Sequence, residues 1–307
     1  MKPEIEISIM PTYLCNYRCE YCYNGDLCKD KTVLSIKKLS QRLEEINKYY
    51  NISQVCVYGG EISLLSQDYL KEVLKQIRLY TNGIIGFITN GSNLDFIDFC
   101  LKNDIGLSIS LNEERSNYKN TISVIKNLKN KEEMTLTVVV TPSIINADID
   151  ELFEFYKSLG VPISFIMYHP SVNSKVSYDF DTTKEFTDFL QKAIIASHKF
   201  GVIIRNEDIL LKDEFNPKTE GYLFITPYGK FSSVEFKNGI EHFIEFNTIE
   251  DWQSFAKQKD LEYFENCCCC EFYGKCKAEH IIHTNTEYCS GLKKLINWYK
   301  DYKNGSC

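Results

Sequence analysis

An α/β fold on a parallel sheet, followed by a smaller α+β unit, is the architecture the sequence predicts, and two patterns predict it. From the first residues to about 200, short apolar runs rich in β-branched residues alternate with amphipathic stretches, as repeated βα units do. After about residue 201 that alternation stops, and a hairpin, a helix and a cysteine-dense segment follow. The expected units are therefore residues 1–200 and 201–307. Hydrophobic residues at 44% supply a core, and charged residues at 25% are ordinary for a water-facing surface.

The first strand expected is Glu4 to Met10, where Ile5, Ile7 and Ile9 alternate with polar residues. Five more follow, at Gln54 to Tyr58, Ile84 to Thr89, Gly106 to Leu111, Met134 to Thr141 and Ile163 to Tyr168. Helices are expected between and after them, at about 32–50, 67–81, 94–103, 116–131, 147–159 and 181–200. Six βα units are too few for a closed eight-stranded barrel. In the second unit, Tyr222 to Thr226 and Lys230 to Phe236 flank Pro227-Tyr228-Gly229 as a hairpin. A helix at about 248–260 and a last helix ending near 302 complete the expectation.

Composition narrows the function classes. Net charge is −7 with no basic run, which argues against a nucleic-acid groove. No apolar stretch reaches the roughly 18 residues of a membrane span, and no signal peptide precedes the first strand, so a cytoplasmic protein without a membrane partner is expected. Thirteen cysteines in such a compartment point to metal or catalysis before disulfides.

Three of those thiols, Cys15, Cys19 and Cys22, fall in the stretch Thr12-Tyr-Leu-Cys-Asn-Tyr-Arg-Cys-Glu-Tyr-Cys-Tyr23. A C-x-x-x-C-x-x-C loop brings three thiolates onto one inorganic centre. An iron–sulfur cluster normally takes four cysteines. Three leave one iron open, and an open position is what separates a reactive metal site from a structural one.

With the apolar strand that leads into this loop, the aromatic residues after it and the motifs that follow in order, the sequence resembles the radical S-adenosylmethionine (SAM) superfamily. The resemblance implies an open six-stranded partial barrel, a (β/α)6 core, with its site at the C-terminal strand ends. It places Tyr21 against the SAM nucleoside. Tyr58-Gly59-Gly60-Glu61 looks like the family's G-G-E-P motif, whose backbone and Glu hold the SAM amino group, with Ile62 standing where Pro is usual. An ordinary strand-to-helix turn would also explain those glycines. Thr89-Asn90-Gly91 matches a T-N-G common at that point, and is equally a turn chosen because Asn and Gly tolerate positive φ.

Ser110 and Asn112 end the fourth strand where the family places polar groups on the SAM ribose or carboxylate, and alternation puts them on one face with Ser108. Arg115 either pairs with the SAM carboxylate or is a solvated arginine on a first helical turn. Met167 is a candidate contact to adenine or a core methionine. His169 is a candidate acid or base at the substrate mouth, although a histidine at a strand end needs no function. Cys56, two residues before Tyr58, either reaches the barrel mouth as a hydrogen-atom donor or is a buried free cysteine.

The C-terminal cysteines, Cys267-Cys-Cys-Cys270, Cys276 and Cys289, resemble the SPASM/twitch extension of radical SAM maturases, whose core is C-x-x-C-x5-C-x3-C. Two ligands usual for a first auxiliary cluster are replaced, by His280 and Val234. The set Cys267, Cys270, Cys276 and Cys289 matches a second auxiliary cluster, so one auxiliary 4Fe-4S cluster is expected, with His280 a lesser candidate ligand. A four-thiolate zinc site fits the same spacing. Cys268 and Cys269 flank ligands, and Cys28, Cys100 and Cys307 have no assigned role.

The resemblance implies that SAM chelates the open iron and that one electron, from a donor such as flavodoxin or ferredoxin, releases a 5'-deoxyadenosyl radical. That radical would abstract hydrogen from a ribosomally made peptide or a protein side chain, giving a cross-link, an oxidation or an epimerisation. The chain starts almost at the first strand, so a leader peptide is expected to need a separate carrier protein or a groove on the enzyme. A sugar or cyclitol dehydrogenase or epimerase is the alternative enzyme. An iron–sulfur or zinc protein that only binds is the non-enzyme alternative.

Overall fold

A computed structural model of the chain describes residues 2–129, 131–178, 182–210, 223–237, 240–273, 289 and 292–305. Six strands run parallel in chain order: β1 (Glu4–Ile9), β2 (Asn51–Val57), β3 (Ile84–Thr89), β4 (Gly106–Ser110), β5 (Met134–Val140) and β6 (Ile163–Met167). They alternate with α1 (Ile36–Tyr49), α2 (Gln67–Arg78), α3 (Leu94–Lys102), α4 (Tyr118–Asn127), a single turn α5 (Pro142–Ile145) and α6 (Ile149–Leu159). After β6 come α7 (Thr182–Phe200) and α8 (Arg205–Leu210). The architecture is the α/β fold with a parallel sheet that the alternation predicts.

The two faces of the sheet differ in chemistry. One carries β-branched and large apolar side chains, among them Ile7, Val55, Phe87 and Leu136, all buried under the helices. The helices answer with apolar stripes at helical spacing: Leu39, Leu43 and Ile46 on α1, and Leu70, Val73 and Ile77 on α2. Side chains cap them, as Ser35, Ser66 and Asn93 each accept a backbone N–H three residues on. The other face is small and polar. Ser8, Cys56, Gly86 and Gly106 form one register row across β1 to β4. Those short side chains leave the concave side of the sheet open.

The extension joins the same sheet. β7 (Leu223–Ile225) pairs parallel with β1, and β8 (Phe231–Lys237) and β9 (Ile240–Phe246) follow antiparallel, giving the order β6-β5-β4-β3-β2-β1-β7-β8-β9. The far edge then meets the near one. A parallel bridge pairs Ser171, just past β6, with Glu241 of β9; the Glu241 N–H donates to the Pro170 carbonyl at 2.7 Å. The opening that six βα units leave is thus spanned by β7 to β9.

β9, α8 and the single turn α5 lie outside the sequence expectation. β9 reads Ile-Glu-His-Phe-Ile-Glu-Phe and is partly buried on both faces, so it shows no clean alternation. The helix expected at 248–260 is longer, α9 (Ile249–Cys267), because Tyr263 continues its buried stripe. The last helix is α10 (Lys293–Lys303). Among the described residues no helix is long and apolar enough to cross a membrane.

Candidate active site at the strand ends

The cysteine loop leaves β1 and is fastened to the turn after β2. Gly60 N–H donates to the Thr12 carbonyl and Glu61 N–H to the Leu14 carbonyl, each at 2.8 Å. The two backbones run so close that a Cβ on Gly60 would stand 2.2 Å from the Leu14 oxygen. Gly59 has φ +146°, and a Cβ there would stand 2.6 Å from the Thr12 oxygen. Its carbonyl accepts from Asn24 Nδ2 at 2.8 Å. Both glycines are therefore required by the approach of the cysteine loop.

Glu61 is buried, and three donors converge on its carboxylate: Ser63 N–H at 3.0 Å and the Thr89 hydroxyl at 2.7 Å on Oε1, and Asn90 N–H at 2.7 Å on Oε2. Asn90 donates through Nδ2 to Asn16 Oδ1 at 2.8 Å, which ties the turn after β3 back to the cysteine loop. Gly91 completes that turn with φ +72°. The Y-G-G-E and T-N-G segments are thus turns and parts of one network at once.

This network frames a cavity of about 430 Å³ at the C-terminal ends of β1 to β6. Cys15, Cys19, Cys22, Tyr21, Gly59, Gly60, Glu61, Asn90, Ser110, Arg115, Met167 and His169 all line it. Tyr17 lines it as well, and its buried hydroxyl has no hydrogen-bond partner among the described residues. Three thiols from one loop, facing one enclosed wall beside an unsatisfied hydroxyl, fit an iron–sulfur cluster with room for a further ligand.

Their surroundings split the thiols. Hydrogen bonding to Cys28 lowers both Cys15 and Cys22, the latter to about 6, while burial raises Cys19. Arg115 Nε donates to the Tyr21 hydroxyl at 3.1 Å. Burial opposes the Arg115 charge, but Tyr21, Cys19 and Cys22 around it carry its net shift upward. Arg115 is half-buried, on the bend that precedes α4. The His169 ring lies 5.1 Å from that of Phe236.

Two sequence candidates are elsewhere. Asn112 is buried, and both ends of its amide are engaged by Val139: Nδ2 donates to the carbonyl at 2.8 Å and Oδ1 accepts the N–H at 3.0 Å. It extends the β4–β5 pairing and is not among the cavity residues. Cys56 belongs to the register row of small inner-face residues and is also absent from the cavity wall. Burial pushes its thiol up to about 12, away from any role as a thiolate.

Sequence reasoning missed the outer wall. Phe224, Val234, Phe236, Glu241 and Phe243 come from β7 to β9 and complete the cavity wall, with the Phe243 ring stacked 5.4 Å from that of Tyr23. Val234, noticed only as a missing cysteine, is one of them. The apolar alternation in the hairpin was the available signal.

In the C-terminal part, Cys267 is the last residue of α9 and Cys270 stands in the turn after it, with Cys270 N–H donating to the Cys267 carbonyl at 2.9 Å. Both pack on a small cluster of Tyr263, Phe272 and Ile296. The Cys289 carbonyl accepts from Leu292 N–H at 2.9 Å, just ahead of α10. Cys268 and Cys269 are exposed, their sulfurs 3.8 Å apart. Cys276, His280 and Cys307 lie outside the described residues.

Comparison with known proteins adds to this geometry. The family model of the radical SAM superfamily matches residues 9–175 of the 307. An S-adenosylmethionine-dependent nucleotide dehydratase of Psychrobacter lutiphocae is 28% identical over 269 residues, 77% of this chain and 85% of its own. A cysteine-type anaerobic sulfatase-maturating enzyme of Clostridium novyi is 24% identical over 209 residues, 58% of this chain but only 55% of its own length. Among solved structures, native anSMEcpe with bound AdoMet and the Cp18Cys peptide superposes with a TM-score of 0.71 over 99% of both chains at 18% identity. That last likeness speaks for the fold.

Proposed function

The chain belongs to the radical SAM superfamily, and from that membership we propose that it cleaves SAM reductively to take a hydrogen atom from an amino-acid side chain of a peptide or protein. When bound, a 4Fe-4S cluster and SAM supply a 5'-deoxyadenosyl radical by one-electron cleavage of a C–S bond. Cys15, Cys19 and Cys22 would hold the cluster. Arg115 takes the cofactor carboxylate, and the Gly59–Glu61 turn, with Asn90 behind it, orients the amino group. Ser110, Tyr21 and Met167 border the nucleoside. His169 stands at the substrate mouth. Enclosure of the cavity by β7 to β9 keeps water from a reactive intermediate. A flavodoxin or ferredoxin is the proposed electron donor. Cys267, Cys270, Cys276 and Cys289 are assigned to one auxiliary cluster, which would accept an electron from the product.

The observation that carries the choice of substrate is charge. Among the described residues of the cavity wall, Arg115 is the one lysine or arginine, and in this reading the cofactor carboxylate would take it. Tyr23, Tyr58, Phe224, Phe236 and Phe243 give the mouth aromatic rings, beside His169, Val234 and the carboxylate of Glu241. Such a wall suits a side chain and offers nothing to a triphosphate. The second reading is a nucleotide substrate, favoured by the Psychrobacter relative's 28% identity over most of its length.

The deciding experiment is anaerobic. Reconstituted full-length protein, reduced with dithionite and given SAM, is expected to release 5'-deoxyadenosine. Added synthetic peptides rich in Cys or Ser should accelerate that release, and CTP or GTP should not. Stimulation by a nucleotide alone moves the assignment to the second reading, and no 5'-deoxyadenosine under any condition refutes both.

A further inference from the structure

One charged side chain of the cavity wall has no part in holding the cofactor. Glu61, Arg115 and Glu241 are the acidic and basic side chains among the described residues of that wall. Ser63, Thr89 and Asn90 donate to Glu61, and Arg115 reaches the Tyr21 hydroxyl. Glu241 is half-buried and comes from β9.

Its place is fixed through the backbone. The Glu241 N–H donates to the Pro170 carbonyl at 2.7 Å, and the Glu241 carbonyl accepts from Val172 N–H at 3.3 Å. In the β8–β9 register Glu241 lies opposite Phe236, and Phe243 lies opposite Val234. Directly opposed residues of an antiparallel pair share a face, so these four form one patch, and all four line the cavity. Glu235, on the other face of β8, is met by Lys237 and Lys259, each at 3.0 Å. Beside the patch runs a chain of rings. Tyr23 stacks on Phe243 at 5.4 Å, Phe243 meets Phe224 edge-on at 5.8 Å, and Phe224 meets Tyr58 edge-on at 6.3 Å.

The chemistry of the entering group follows from this pairing of a carboxylate with rings. An apolar side chain would strip water from the carboxylate and return nothing, and an acidic one would be repelled. A cation gains from the carboxylate and from the negative ring faces together. A carboxylate has about four acceptor positions, so contacts that Glu241 makes within the protein leave room for another.

We infer that Glu241 and this chain of rings hold the side chain of a lysine or arginine beside the reacting residue, so that the substrate selected is a basic peptide. The role rests on the peptide reading under the proposed function.

The test uses the full-length reconstituted protein and N-acetylated synthetic peptides of one length, each with a single Cys flanked by Lys, by Gln or by Glu. Acetylation removes the terminal ammonium as a competing cation. Binding is read by fluorescence anisotropy of labelled peptide without SAM, and KM and kcat by 5'-deoxyadenosine release with it. Wild type is expected to bind the Lys peptide about tenfold or more tightly than the Glu peptide, with the Gln peptide between. Glu241→Gln should level the three, and Glu241→Lys should reverse their order, with kcat little changed at saturating peptide. Equal binding of the three by wild type overturns the proposal, and so does a preference that survives in Glu241→Gln. A fall in kcat with the preference intact does the same, because Glu241 then acts on the reaction. Should Glu241→Lys fail to fold, the Gln variant decides alone. If the three peptides speed 5'-deoxyadenosine release equally, only this role falls. If none binds or speeds release, the peptide reading falls and this role with it.

Discussion

The two cysteine-bearing regions are held in opposite ways. The loop of Cys15, Cys19 and Cys22 is fastened through its backbone to the Gly59–Glu61 turn, through Asn16 to Asn90, and through Cys15 to the turn of Cys28. Cys267 and Cys270, among the described residues, end one helix and rest on three apolar side chains. The first region is shaped by polar ties that a metal did not make, and the second by local packing. The first therefore has a geometry suited to chemistry that tolerates little displacement.

The largest effect separates the two regions outright. Cys19→Ala is expected to bring 5'-deoxyadenosine below detection. Cys270→Ala should keep SAM cleavage while losing product formed from a peptide substrate. Iron per chain measured beside both assays shows which centre each variant lacks. Equal and complete loss of cleavage in both would erase the distinction.

Next comes the backbone tie. In Gly60→Ala the new methyl meets the Leu14 and Tyr13 carbonyl oxygens at 2.2 and 2.3 Å, and backbone atoms cannot rotate away. The loop must lift, at a cost of about 3 kcal/mol. Iron bound by the N-terminal site should fall several-fold and the melting temperature with it, whereas Gly305→Ala, strained at φ +69° but with nothing near its Cβ and far along the chain from the loop, should leave the iron content unchanged. Normal iron content in Gly60→Ala would show that the two backbones need not touch.

Much of the first region is legible in the sequence because its parts are local. The cysteine spacing, Gly59-Gly60-Glu61 and Thr89-Asn90-Gly91 each lie within a few residues, and strand ends gather them. Long-range pairings are not legible. Nothing in the sequence near Asn112 announces that its amide is taken by Val139, 27 residues on. Nor does the composition of β9 reveal that it meets the chain after β6, which is what brings Phe243 and Glu241 to the cavity. Strand alternation fixes a face but not a height: Cys56 faces inward on β2 yet is not among the residues that line the cavity.

A milder change loosens the first region without lifting it. Glu61→Gln replaces one acceptor oxygen by an amide that faces donors from Ser63, Thr89 or Asn90. One such mismatch costs about 1–3 kcal/mol. The expected result is a tenfold to hundredfold fall, roughly, in kcat/KM for SAM cleavage with iron content retained, by the same free-energy arithmetic. Iron lost as fully as in Gly60→Ala would make Glu61 a pillar of the loop and not an orienting group.

The smallest effect on cleavage is expected from the packing under the second region. Phe272 is 6% exposed and belongs to the small cluster with Tyr263 and Ile296 on which Cys267 and Cys270 rest. Phe272→Ala removes most of that support, and a buried Phe truncated to Ala costs about 3 kcal/mol or more in a full core. In a three-residue cluster the surroundings can close in, so the loss should be smaller and confined to the end of α9. Hydrogen exchange is expected to rise at 263–273 and not at 12–28, with 5'-deoxyadenosine formation unchanged within about a factor of two. If cleavage falls in step with exchange at the helix end, the regions are mechanically coupled, and β9, which packs on α9 and reaches the cavity through Phe243, is the element through which that coupling runs.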